Sequence, residues 1–176
     1  MSINATLTPE QLAIAKFWVD GHGSVTPAGH WNQIAIDKAL KAGLDDATTA
    51  RLFAQLNIAE ADAFIAVWDV KYHYWTARPI TAAKSLLGKQ LKTPILTPPF
   101  PSYVSGHAAF SGAAAAVLGA YFLADAGELE RMGQEAAMSR LFGGIHFRHD
   151  NEDGLTLGRK VAAKVLARYA QEPATP

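Results

Sequence analysis

The chain has 176 residues, 49% of them hydrophobic, and its 16 basic residues balance 16 acidic ones. That composition excludes intrinsic disorder, and the neutral balance excludes a general attraction to nucleic acid or to an anionic membrane. There is no Cys, which excludes disulfides, thiolate metal sites and a Cys nucleophile.

Taken in chain order, the pattern is helical almost throughout. Thr8-Pro9-Glu10-Gln11 reads as an N-cap, a Pro at N1 and an acidic first turn, opening a helix to about Asp20. Residues 21–27 are a loop, and a second helix runs from about Gly29 to Ala42, stopping at Gly43. Asp45 or Asp46 caps a third helix, whose apolar positions Leu52, Phe53, Leu56, Ala59, Ala63, Phe64, Val67 and Trp68 keep helical spacing. It is expected to carry past Tyr72 and deliver Lys71 near its end. Pro79 stops or kinks that run, and a short helix follows to Leu87. Residues 88–103 hold four prolines and form a stiff, extended loop. An Ala-rich helix then starts at Ser105 or Gly106 and ends near Ala124, followed by a break at Gly127. Further helices cover 128–140 and 150–169, and residues 171–176 are expected to fray. The reading is an all-α bundle of about six helices, one domain over 1–176, with its site built from residues 71–150. The Ala-rich stretch is a buried helix with a small-residue face, not a membrane span. The first residues lack a basic or apolar leader, which puts the chain in the cytoplasm by default.

Three pieces of the chain carry chemistry. Lys71 and Arg78 lie two helical turns apart, with Trp68 one turn before Lys71. Ser105-Gly106-His107 sits where the Pro-rich loop enters a helix, and the first amides of a helix are unpaired and attract an anion. Ser139-Arg140 is followed by His146 and Asp150; if both lie in helix, their i, i+4 spacing joins a carboxylate to an imidazole. Each piece alone has an ordinary structural explanation. Lys71 and Arg78 are solvated cations, Ser105 is an N-cap, Asp150 caps the last helix, and Ser139 ends one. Together they supply three cations, a hydroxyl, a Gly amide and two imidazoles, the inventory for one tetrahedral oxyanion. His22, His30, His73 and His149 match nothing in this constellation and read as surface or structural histidines.

At these residues the chain resembles the superfamily of vanadium-dependent haloperoxidases, type 2 phosphatidic acid phosphatases and bacterial acid phosphatases. The family pattern is Lys, six residues, Arg-Pro; Pro-Ser-Gly-His; then Ser-Arg, five residues, His, three residues, Asp. The chain has Lys71 and Arg78-Pro79, Ser105-Gly106-His107, and Ser139-Arg140, His146 and Asp150 at those spacings. Val104 stands where the family has Pro, and only 70 residues precede Lys71, where haloperoxidases carry a helical half. A minimal domain, a fragment, and a domain that completes its site by homo-oligomerising all fit that length. The resemblance implies that Lys71, Arg78, Arg140, Ser105 and the Gly106 amide bind the oxyanion. It makes His146 the vanadium ligand or the nucleophile on phosphorus, and His107 the general acid and base. Asp150 would orient His146, and Lys71 would polarise a bound oxygen. Trp68 and Phe100 resemble the aromatic pocket wall of chloride-oxidising members. Residues 21–32, 100–107 and 143–154 look more like the soluble bacterial haloperoxidases than the membrane phosphatases. The implied activity is therefore oxidation of halide to hypohalous acid by hydrogen peroxide, with vanadate as cofactor. The alternatives are hydrolysis of a phosphate ester through a phosphohistidine, since phosphate can occupy the same site, or oxyanion binding without turnover.

Overall fold

A computed structural model describes residues 7–170, and the tail expected to fray lies outside them. The described residues form seven α-helices and one 3-10 turn: α1 (Pro9–Phe17), α2 (Thr26–Ala42), α3 (Asp46–Tyr74), α4 (Pro79–Leu87), α5 (Gly106–Tyr121), the turn Leu123–Asp125, α6 (Ala126–Phe142) and α7 (Arg148–Ala170). The architecture is all-α, as the periodicity predicts, with the nine-residue α4 as the short helix after Pro79.

Local chemistry sets most boundaries. Thr8 and Gln11 close a capping box on α1, and Gly43, in the left-handed conformation, ends α2. Asp45 Oδ1 accepts from Thr48 N at 2.7 Å and opens α3. At 29 residues α3 is about 43 Å long. It reaches across the bundle and sets Lys71 in its last turn. Three boundaries differ from the sequence expectation. α1 stops at Phe17, not Asp20, and the Trp18 carbonyl goes to Arg140 on α6. α2 starts at Thr26, three residues early, because Pro27 fits the first turn. The break after α5 falls at Phe122 (φ −117°, ψ 68°), and Gly127 lies inside α6.

The Ala-rich α5 is the central helix, packed on α3, α6 and α7 and touching α2. Its small face lets α7 approach until backbones meet. A Cβ on Gly158 would lie 2.0 Å from the Ala109 carbonyl, and one on Gly112 would lie 2.5 Å from that of Leu155. Trp18, Trp31, Leu52, Leu56, Leu118 and Leu129 fill the core around it, and Ser111 accepts the Trp31 indole N–H at 3.0 Å. No described helix is long and apolar enough to cross a membrane. Because the clash at Gly158 is with backbone, Gly158→Ala is expected to cost about 3 kcal/mol, the upper end of overpacking. Gly127→Ala, with nothing within 4 Å of the new methyl, is expected to leave stability unchanged or slightly raised. Urea denaturation of the two variants checks the contrast.

Candidate active site

Four helix ends and three loops converge on one cavity of about 360 Å³. The C-terminal end of α3 brings Lys71, and the N-cap of α4 brings Arg78. The first turn of α5 brings Gly106 and His107, whose N–H groups have no intrahelical acceptor. The last turn of α6 brings Arg140, and the segment before α7 brings His146. The loop after α1 closes one wall with Val19, Asp20 and His22, and Trp68, Phe100 and Phe110 form the apolar side.

The three basic side chains are held by carbonyls and imidazoles, with the carboxylates of Asp150 and Asp20 nearby. Lys71 is 1% exposed, and its Nζ donates to the carbonyls of Pro101 at 2.8 Å and Ser102 at 3.0 Å. Arg78 donates from Nε to the Phe100 carbonyl and from Nη1 to the Ile145 carbonyl, both at 2.8 Å. Its Nη2 is buried with no acceptor among the described residues. Arg140 is also 1% exposed; it donates to the Trp18 carbonyl at 2.7 Å and to Ser139 Oγ at 3.0 Å. The Phe100 ring lies 5.4 Å from Lys71 Nζ and 5.0 Å from the Arg78 guanidinium, and Trp68 meets it edge-on at 4.8 Å.

Both imidazoles are neutral, and their tautomers follow from their neighbours. Arg78 Nη1 lies 2.9 Å from His146 Nε2 and can only donate, so Nε2 carries the lone pair and Nδ1 the proton. That proton goes to Asp150 Oδ2 at 2.9 Å. Burial, with Arg78 and Lys71 close by, pulls the His146 pKa down to about 3 against the opposing pull of Asp150. Arg140 Nη1 lies 3.1 Å from His107 Nε2, which is likewise the acceptor. Burial and Arg140 hold His107 well below the usual histidine range. Burial pushes the Asp150 carboxyl up, but hydrogen bonds from His146 and Ser102 outweigh it and keep the group an anion.

Burial first, and then Arg78, lowers the Lys71 pKa from 10.5 to about 7. Between those values the unfolded chain binds a proton that the folded chain lacks, so stability rises with pH across the interval and is lost as pH falls toward 7. The melting temperature of the ligand-free protein is therefore expected to rise from neutral pH to about pH 10 more steeply than that of Lys71→Met. Saturating phosphate, which holds the ammonium charged, should flatten the difference.

The cavity brings together Lys71, Arg78, Gly106, His107, Arg140 and His146, with Trp68 and Phe100 on its wall. Two predicted residues stand just behind it. Ser105 is fully buried, its hydroxyl facing the Ala108 N–H at 3.4 Å and its own N–H bonded to the Asp150 carbonyl. Asp150 orients His146 and also takes the Phe147 N–H at 3.1 Å, so it both orients and caps. His146 precedes α7, so a turn rather than a helical i, i+4 step makes that contact. Ser139 positions Arg140. Val104 packs with Val67 and Ala109.

Sequence reasoning passed over Ser102, whose hydroxyl donates to Asp150 Oδ2 at 2.5 Å and is fully buried. Its only signal was one hydroxyl among several in a Pro-rich loop. It also passed over Asp20, which bonds His30 Nδ1 at 3.1 Å and whose charge supports that of Arg140, and over His22 at the cavity wall.

The helical bundle thus closes three buried basic side chains and two neutral imidazoles around a small cavity. The family model described as the VCPO second helical-bundle domain matches residues 51–132 and 127–173, and so spans every residue from Lys71 to Asp150. The chain belongs to that family, within the vanadium haloperoxidase superfamily. A vanadium chloroperoxidase from Curvularia inaequalis is 29% identical, over 69% of this chain and 24% of that protein. The crystal structure of the first bacterial vanadium-dependent iodoperoxidase superimposes with a TM-score of 0.83 at 34% identity, covering 90% of this chain and 44% of that one. The chain thus spans less than half the length of either relative.

Proposed function

We propose that the cavity holds vanadate and that the protein is a peroxidase, using hydrogen peroxide to oxidise halide to hypohalous acid. The observation that carries this reading is His146: a buried, neutral imidazole whose Nε2 lone pair faces Arg78 Nη1 in a cavity also lined by Lys71 and Arg140. The residues fit such an anion. Arg78 Nη2 is a buried guanidinium nitrogen without an acceptor among the described residues, and the three basic side chains outnumber the two carboxylates beside them, Asp150 and Asp20. Vanadate, when bound, supplies a Lewis-acid centre that activates peroxide without changing oxidation state.

The residues divide the remaining work. His146 Nε2 would bond the vanadate, and Asp150, holding Nδ1–H, would strengthen it as a donor. Lys71, Arg78, Arg140 and the Gly106 amide bind the oxygens. His107 Nε2, beside Arg140, accepts a proton and returns it. The wall of Trp68 and Phe100 keeps water from the reacting side and strengthens every charge interaction within. Phosphate esters meet the same residues, with His146 as nucleophile and His107 as the acid.

Loading the protein with orthovanadate and supplying peroxide, bromide and a dye, beside a generic phosphomonoester, separates the two reactions. Vanadate-dependent bromination is expected. Ester hydrolysis that vanadate blocks, with no bromination, would establish the phosphatase reading instead, and binding without either reaction would leave an oxyanion-binding domain.

A further inference from the structure

The sequence holds no acidic residue between Asp69 and Asp125, although 16 of its residues are acidic. Lys84, Lys89 and Lys92 fall within that run, and all three are exposed. Exposed apolar side chains gather there too: Tyr72 and Trp75 at the end of α3, and Ile80, Leu86 and Leu87 on α4. We propose that α4 and the segments flanking it are a docking face for an anionic lipid surface. This is independent of what the cavity binds.

The fold leaves α4 without a partner, since none of the other described helices packs closely on it. Its apolar side, with Ala82, Ala83, Leu86 and Leu87, looks across a cleft of about 350 Å³ to Leu141 on α6 and Phe147 before α7. His146, at the back of the cleft, is the one polar side chain among those lining it. The cleft has room for about ten carbons of an acyl chain, at the ~30 Å³ that a water-sized group occupies. Leu86, at its lip, is 80% exposed.

On the other side of α4, Tyr72, Trp75 and Ile80 line a second hollow. Lys84 stands one turn beyond Ile80 on the same face, and Lys89 and Lys92 follow the C-cap Gly88. Trp75 ends α3 at φ 49°, ψ 45°, a left-handed conformation usually left to Gly, and is 67% exposed. Its ring meets that of the exposed Tyr72 at 5.3 Å. Burial therefore does not offset the strain of a bulky residue at this position.

Leu, Trp and Tyr at a surface, rimmed by Lys and free of carboxylates, suit the boundary between headgroups and acyl chains. The leucines enter the acyl layer, with one lipid chain in the cleft. The aromatic rings lie at headgroup level, and the ammonium groups meet anionic headgroups. The chain's net charge is zero, so the attraction comes from placement alone. A second copy fits this face poorly. A two-fold contact sets lysines against lysines, with no carboxylate inside the face to pair them. Asp69, one turn before Tyr72, and Asp153, which takes the Tyr103 hydroxyl, only border it.

Co-sedimentation of the full chain with vesicles tests the face. Binding is expected on phosphatidylcholine and phosphatidylserine in equal parts. On phosphatidylcholine alone it should be about a hundredfold weaker, at about fivefold for each of three lysines. Lys84→Gln, Lys89→Gln and Lys92→Gln combined should remove the same factor. Leu86→Ser is expected to lower affinity about tenfold. Leu123→Ser, equally exposed but at the opposite end of α5, should leave it unchanged. All these side chains are exposed, so the thermal melt of each variant should match the wild type. Inorganic phosphate at constant ionic strength should not compete with vesicles. Competition would mean that the cavity holds a lipid headgroup, and would overturn the docking face. No binding to the anionic vesicles, or undiminished binding in the lysine variant, would also overturn it. So would a dimer in vesicle-free solution that Leu86→Ser dissociates, which would give the face to a second copy.

Discussion

Replacing His146 with Ala is expected to lower turnover by about a thousandfold or more, the scale on which enzymes lose a group that bonds the reacting centre. The variant removes the one neutral nitrogen lone pair that Arg78 and Lys71 surround. Asp150 cannot replace it, because it lies behind the imidazole on the Nδ1 side. The fold should survive, because Asp150 Oδ2 keeps Ser102 and Phe147 as donors and continues to cap α7. Steady-state bromination, or ester hydrolysis, read beside a thermal melt separates the chemical loss from unfolding. A variant that keeps a tenth of wild-type turnover would remove His146 from the reaction.

The second large effect falls on Arg140. One guanidinium does two jobs: it faces the cavity through Nη1, and through Nη2 it ties the chain after α1 to α6 by the Trp18 carbonyl. Arg140→Ala therefore removes a clamp on the oxyanion and leaves buried carbonyl and hydroxyl groups unpaired, at about 1–3 kcal/mol for each group left so. Stability in urea is expected to fall by about 3–5 kcal/mol, and phosphate affinity by about a hundredfold. Arg140→Lys should recover part of the affinity but little of the stability, because an ammonium cannot reproduce the planar fork that reaches Trp18, Ser139 and His107 together. Full stability in Arg140→Ala would show that the loop after α1 is held by something else.

These effects show which parts of the site the sequence made legible. Lys71, Arg78, Arg140, His146 and Asp150 were readable because each sits at a helix end marked by local chemistry: the last turn of α3, the residue before Pro79, the last turn of α6, and the acidic entry to α7. Spacing along the chain carries that information. What holds those groups in place was not readable. Arg140 meets Trp18 across 122 positions and Ser102 meets Asp150 across 48, and no local pattern announces such contacts. The end of α1 and the cavity wall of Asp20 and His22 follow from the same long-range clamp. The break after α5 shows a local limit as well. Gly127 looked like the stop, yet a glycine early in a helix is tolerated, and the chain turned instead at Phe122. The small-residue face of α5 was visible as composition, but its use, a backbone contact with α7 at Gly112 and Gly158, was not.

The central claim is that one oxyanion would bind among Lys71, Arg78 and Arg140, bonded by His146 Nε2. Isothermal titration of the protein with orthovanadate tests it most directly. The account predicts saturable binding of one vanadate per chain, displaced by inorganic phosphate and lost in His146→Ala. Absence of saturable binding, or undiminished affinity in His146→Ala, would contradict it.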